Sequence, residues 1–199
     1  MKRVFLALLV GLVAVTSTAT TNILPTSVVP LVSSTGDVFC SSFIIDTARK
    51  YLLTADHCLA GQPFVNGAPA EEVYHDQSLD VSVLKAPGLI SGPALKASPV
   101  VEWYDPVTMI GYADGQVPAK KIKSQVLLPV VSVETIPGRW TVYEQVVIPG
   151  MSGGPIVRNS DGTVVGIVQL GSDKGKYSIS RPIADVYEST KQFWERGVE

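Results

Sequence analysis

Pro149-Gly150-Met151-Ser152-Gly153-Gly154-Pro155, running on into Ile156-Val157, is the stretch on which the fold turns. A serine ringed by glycines lets a substrate and the backbone approach each other closely, because glycine has no Cβ and reaches conformations closed to other residues. Packing seldom requires such a run. Pro155-Ile156-Val157 continues as strand, so the serine sits in a loop that feeds β structure.

Gly150-Met151-Ser152-Gly153-Gly154 also satisfies G-x-S-x-G, the pattern of the α/β-hydrolase elbow, so the motif alone does not name a fold. Chain order separates the two. A serine hydroxyl needs a base to take its proton, and the elbow enzymes place that histidine after the serine and open a helix behind it. Here both histidines, His57 and His75, precede Ser152. His57 closes the apolar run Leu52-Leu53-Thr54-Ala55 and stands beside Cys58, whereas His75 lies in the polar stretch Tyr74-His75-Asp76-Gln77-Ser78 and reads as a solvated loop residue. A base has to be held on a rigid element, which selects His57.

Working outward from the serine, apolar and β-branched runs of strand length recur at residues 27–33, 38–45, 51–55, 81–84, 107–111, 126–133, 140–147, 156–157, 164–170 and 177–180. Turn residues separate them, as in Ser34-Thr35-Gly36-Asp37, Gly61-Gln62-Pro63, Pro137-Gly138 and Asn159-Ser160-Asp161-Gly162. This is the pattern of antiparallel sheets closing into barrels or sandwiches, with Asp161-Gly162 predicting a hairpin between Ile156 and Leu170. Prolines and glycines interrupt every element between Ala86 and Pro99, which marks the connection between two halves of similar length. Only the tail departs from β periodicity. From Pro182 onward, Ile183, Val186, Tyr187, Thr190 and Trp194 fall near one helical face, predicting a short terminal helix packed on the second half.

The first 15 residues read as an export signal: Lys2 and Arg3, an apolar run from Val4 to Val15, then the small residues Ser17-Thr18-Ala19 for cleavage, with the mature chain beginning near Thr20. The run is short of the ~20 apolar residues a spanning helix needs, and no later segment is suited to crossing a bilayer. In an exported chain the two cysteines, Cys40 and Cys58, are expected to be joined, tying the strand around Phe39 to Ile45 to the residue after His57. A formal charge of −2 gives no positive field for phosphates. The one basic cluster, Lys120, Lys121 and Lys123, reads as a solvated strand or loop, so nucleic acid is not an expected partner. No Cys/His cluster suggests a metal, and no cofactor is expected.

The chain resembles the trypsin/chymotrypsin-like serine peptidase family through Thr54-Ala55-Asp56-His57-Cys58, Ser78-Leu79-Asp80-Val81-Ser82-Val83-Leu84 and Gly150-Met151-Ser152-Gly153-Gly154-Pro155. Further agreement lies in Cys40 paired with Cys58, in Asp105 to Tyr112 opening the second half, and in Gly166 to Gly171. The resemblance implies an all-β fold of two six-stranded antiparallel β-barrels of the chymotrypsin type with a short C-terminal helix. It divides the chain into a signal peptide (1–19), an N-terminal barrel (20–98), a C-terminal barrel (99–182) and a helix and tail (183–199). It implies a secreted or periplasmic endopeptidase, a monomer with a protein or peptide substrate. His57 would be the base, Asp80 the orienting acid and Ser152 the nucleophile, with the N–H groups of Gly150 and Ser152 as oxyanion donors. Asp80 is preferred to Asp76 because it stands immediately before an alternating strand.

Departures from the family pattern carry further expectations. Met151 stands where animal digestive members carry the aspartate that pairs with a newly cut N-terminus, so activation by that switch is excluded. The loop is closer to bacterial and viral members with P-G-x-S-G-G-P. Asp56, where the family commonly has alanine, would raise the pKa of His57 if it faced the ring. Val146 occupies the position of trypsin's specificity acid, and with Gly171 and Gly175 as walls an apolar pocket is expected, for cleavage after small or medium apolar residues. Gln169, Leu170 and Gly171 are expected to offer a strand edge to extended substrate. Two alternatives stay open: a catalytically silent relative that binds a partner, against which the intact triad argues, and narrow processing of one precursor or polyprotein.

Overall fold

The computed structural model describes residues 25–89, 92–133, 136–171 and 176–195. The first half forms one antiparallel sheet from β1 (Val28–Val32), β2 (Val38–Asp46), β3 (Tyr51–Thr54), β4 (Phe64–Val65), β5 (Ala68–Pro69), β6 (Glu71–Asp76) and β7 (Val81–Lys85), in the order β5-β4-β1-β2-β3-β7-β6. The second half repeats the plan with β8 (Pro106–Gly111), β9 (Lys120–Val133), β10 (Ile136–Tyr143), β11 (Pro155–Arg158), β12 (Val164–Ile167), β13 (Leu170–Gly171) and β14 (Ser178–Ser180), ordered β12-β11-β8-β9-β10-β14-β13.

Each half is thus a curled sheet of seven strands, where six per closed barrel were expected. The extra pieces have local causes. Asn66 and Gly67 both take positive φ, 49° and 79°, and turn the chain in two residues between β4 and β5; this is the hairpin geometry that Asn-Gly favours. In the second half the run from Val164 to Leu170 is divided. β12 and β13 are separated in sequence only by Val168 and Gln169 yet occupy opposite ends of the sheet order, so the sheet must curl to bring them together. Hydrogen bonds between Val168 and the Ser152 loop, Gly153 N–H to Val168 O and Val168 N–H to Gly154 O, both 2.8 Å, hold the bend. The predicted Asp161-Gly162 hairpin joins β11 and β12.

In the first half β2, β3 and β7 are buried on both faces, which explains their near-continuous apolar runs. Period-two alternation sends Cys40, Ile44, Leu52 and Leu84 into the core of the first sheet, while Phe43, Ile45, Leu53, Val81 and Val83 face the other way, toward Val164 and Ile167 of the second half. Each fully buried side chain of this size contributes about 1.5–3 kcal/mol. A separate core gathers Val107, Met109, Val126, Tyr143, Met151, Ile156 and Val165.

The terminal helix α1 (Ile183–Thr190) forms as its periodicity predicts and packs on β12 of the second half, as expected. Ile183, Val186 and Trp194 join a cluster that holds Val164 and Ile167 of the second half and Phe43, Ile45 and Leu53 of the first, so the tail also ties the two halves together. Arg49 fixes it there, donating from its guanidinium to the carbonyls of Gln192 and Trp194 at 3.0 and 2.9 Å. Among the described residues the connector between β7 and β8 carries no strand, only a bridge from Ala97 to Val164. Among the described residues no helix is long and apolar enough to cross a membrane.

Candidate active site

His57 lies in a single 3-10 turn, Asp56–Leu59, that follows β3, and Asp80 immediately precedes β7. β3 and β7 are antiparallel neighbours with Thr54 opposite Ser82, so the residues just past the end of one meet those just before the start of the other. That register brings the two groups together. Asp80 Oδ2 stands 2.8 Å from His57 Nδ1, and Oδ1 accepts the His57 backbone N–H at 2.9 Å. An ionised carboxylate only accepts, which assigns the Nδ1 proton and leaves Nε2 as the basic nitrogen. The hydrogen bond to Asp80 raises the pKa of His57 above its ordinary value; burial opposes this, and the charges of Asp80 and then Asp56 add to it. Beneath the histidine, Cys58 is disulfide-bonded to Cys40 on β2, as expected.

Ser152 arrives from the other half. Its loop packs on the strand ends that surround His57: Ser41 N–H donates to Ser152 O at 2.8 Å, and that same carbonyl lies 3.7 Å from Cys58 Sγ. Ser41 Oγ donates to Gly150 O and accepts from the Tyr112 N–H, both at 2.8 Å, while Thr54 Oγ1 donates to Ser41 O at 2.8 Å. Ser41 and Thr54 are fully buried. Gly153 takes φ +82°, and a Cβ there would fall 2.2 Å from both Ser41 O and Thr54 Oγ1, so only glycine fits. Within the loop, the N–H groups of Met151, Gly153 and Gly154 are all engaged. Among the described residues no acceptor takes those of Gly150 and Ser152, and the Ser152 hydroxyl makes no hydrogen bond.

Met151 is fully buried in the second core, among Val107, Met109, Val126 and Tyr143. Val146 and Val147 sit over Gly171, with a Cβ on that glycine 3.6 and 3.1 Å from their methyl carbons. Leu170 is exposed, and β13, at the end of its sheet, pairs on one side only, with β14. Gly175 lies outside the described residues. A cavity of about 460 Å³ opens beside His57, lined by Ser33, Ser34, Phe39 and the disulfide.

One placement differs from the sequence reading. His75 lies on the edge strand β6 and not in a loop; its Nδ1 is 3.4 Å from Glu72 Oε1 and 3.6 Å from Asp56 Oδ1. Asp56 accepts from Ser82 Oγ at 2.6 Å, and its charge is the weakest contributor to the raised pKa of His57. The Gln169 side chain is buried, with its amide on the Leu79 and Asp80 carbonyls. Sequence reasoning passed over Ser41 altogether, although Ser41-Ser42 within the apolar run Val38–Ile45 is the signal of buried polar groups with assigned partners. No cluster of three metal-ligating residues occurs among the described residues.

The fold is shared with solved proteases at low sequence identity. The Rv3671c protease of M. tuberculosis, in its active form, is 20% identical over 86% of this chain and 82% of its own, with a TM-score of 0.65. A serine endoprotease from Yersinia pestis is 20% identical over 86% of this chain and 64% of its own, at 0.69. The HtrA-type protease AlgW, solved with a tripeptide, is 22% identical over 84% and 60%, at 0.70. No curated protein matches the sequence. The model of the trypsin-like peptidase domain matches residues 40–167, a span that holds His57, Asp80 and the whole Ser152 loop. The Ser152 loop is seated against the Asp80-paired histidine, and a family match that covers most of the chain makes this protein a member of the trypsin-like peptidase family, a serine endopeptidase acting on protein or peptide substrates.

Proposed function

We propose that Ser152 is the nucleophile, His57 its general base and Asp80 the acid that orients the histidine. The contact between Ser152 and Cys58, the residue that follows the Asp80-held His57, carries this reading. Ser152 Oγ attacks the peptide carbonyl as its proton passes to His57 Nε2, and Nδ1–H stays on Asp80. The oxyanion is taken up by the N–H groups of Gly150 and Ser152, which no described acceptor occupies; one such donor is worth about 3 kcal/mol. Collapse breaks the C–N bond, His57 returns the proton to the departing amine, and an acyl group remains on Ser152. Water then attacks by the same proton path. An unbonded serine hydroxyl is compatible with this, since such bonds tighten when substrate binds.

The apolar walls of Val146 and Val147 over Gly171 support cleavage after small or medium apolar residues. The free edge of β13 supports antiparallel pairing with an extended substrate. The sequence motif P-G-x-S-G-G-P favours the bacterial and viral branch of the family. The enzyme is read as a secreted or periplasmic monomer, with the signal of residues 1–19 removed and barrels spanning 20–98 and 99–182.

Labelling by a serine-directed phosphonate tests the assignment. Wild type is expected to be modified and S152A not; modification that persists in S152A would overturn the nucleophile. A peptide-library profile dominated by Arg or Lys would overturn the pocket.

A further inference from the structure

The Gln169 side chain is 4% exposed and every polar atom on it is used. Nε2 donates to Leu79 O at 2.7 Å and to Asp80 O at 2.8 Å, and Oε1 accepts the Arg181 N–H at 2.7 Å. These partners leave no choice of amide orientation, because exchanging oxygen and nitrogen would face one oxygen with two carbonyls and one NH₂ with an N–H. Two successive carbonyls can converge on one NH₂ only if the peptide between them is turned. Asp80 supplies that turn with φ +50°, a left-handed conformation that aspartate tolerates but that the surroundings must hold.

Neither carbonyl has another donor among the described residues. The opposite end of the same turn is tied separately. Asp76 Oδ1 accepts from the N–H groups of Ser78 and Leu79 and from Ser78 Oγ, and Asp76 Oδ2 accepts from Ser189 Oγ of α1 at 3.2 Å. Asp76 fixes where the turn begins, and Gln169 fixes where it ends, at the residue whose carboxylate grips His57.

We propose that Gln169 is a positioning residue for catalysis, its amide clamping the Leu79-Asp80 peptide in the left-handed turn that aims the Asp80 carboxylate at His57. The inference rests on the triad assigned above. It gives the second half of the chain a hold on the acid as well as on the nucleophile. The clamp acts through main-chain atoms of Asp80 and so needs no substrate contact.

Two substitutions test it. Q169M keeps the length and removes both donors; Q169E keeps the shape and the acceptor for Arg181 but turns an oxygen toward the two carbonyls. In both, kcat per folded enzyme is expected to fall roughly 10- to 100-fold with KM nearly unchanged, the scale on which small misplacements act. In Q169M the acid limb of the kcat/KM profile should also move to lower pH as the hold of Asp80 on His57 loosens. The folded fraction is read by circular dichroism. Should both variants unfold, Q169H, which keeps a ring N–H donor, is measured alongside wild type, and an unchanged kcat and pH profile there would support the clamp while a wholly inactive folded protein would oppose it. A rise in KM at constant kcat would make Gln169 a substrate contact, and a lower melting temperature with unchanged kcat and pH profile would make it structural; either result overturns the proposal. D80N run in parallel separates the two levels: full activity in D80N removes the triad itself, whereas an inactive D80N beside a fully active Q169M removes the clamp alone.

Discussion

The Asp80 carboxylate holds His57 at two points, facing the ring Nδ1 at 2.8 Å with one oxygen and receiving the backbone N–H at 2.9 Å with the other. Ring and main chain are therefore fixed by a single side chain, and tilting the imidazole requires moving the acid.

Replacing that acid with D80N should lower kcat about 10⁴-fold, the size known for the triad aspartate of this family. As the proposed base His57 would act when neutral, so its raised pKa should put the acid limb of kcat/KM above the ordinary histidine value. In D80N the residual activity should show that limb at lower pH. The same shift governs stability: a raised folded pKa stabilises below the unfolded value of about 6.5, and the contribution fades as pH climbs through the folded value. Denaturant midpoints across pH 5–9, compared with D80N, measure it.

Ser41 engages the nucleophile loop through both its hydroxyl and its N–H. S41A should cost about 1–3 kcal/mol, because the Gly150 carbonyl and the Tyr112 N–H lose their shared partner in a buried place. The loop that presents Ser152 should loosen with it. Urea unfolding reads the first effect, and kcat at a temperature where the variant stays folded reads the second.

The bridge from Cys40 to Cys58 closes a segment 18 residues apart in sequence. On chain-entropy grounds its removal should destabilise by about 3 kcal/mol. The double variant C40S/C58S should melt at a correspondingly lower temperature and lose activity sooner on warming, because the turn bearing His57 depends on Cys58. Equal melting of the two proteins would refute this.

Met151 anchors the loop from inside the second core, with no solvent exposure. M151A should cost about 2–5 kcal/mol through the cavity it leaves. A carboxylate placed there by M151D would meet only apolar neighbours and should prevent folding. The chain with a methionine here should be active once residues 1–19 are gone; an inactive mature form that needs a second cut would contradict this.

The proposed site is assigned from residue types because the chemistry demands them in order. A hydroxyl, an imidazole and a carboxylate each have few substitutes, and His57, Asp80 and Ser152 stand in contexts that packing does not require. Strands buried on both faces, such as Phe43 to Ile45 and Val81 to Leu84, were equally legible. Glu71–Asp76 was not, since an edge strand exposed along most of its length carries no apolar pattern. The contacts of α1 and the tail with the first half were not legible either: periodicity around Ile183 and Val186 gives a helix an apolar face, but not the share of it that Phe43, Ile45 and Leu53 cover. Gln169 shows the limit most clearly. Alternation places its backbone beside a substrate edge, but only the curl of the sheet turns its amide onto Asp80.

The tail carries one more consequence. Trp194 and the carbonyl of Gln192 are bound to the first half by Phe43 and Arg49, although the chain reaches them only after completing the second half. The connector, meanwhile, displays Val100, a medium apolar residue, to solvent. A cut there by a neighbouring copy of the enzyme would leave two pieces still clasped by the tail. Autolysis at that point should yield a nicked, working enzyme whose fragments part only in denaturant.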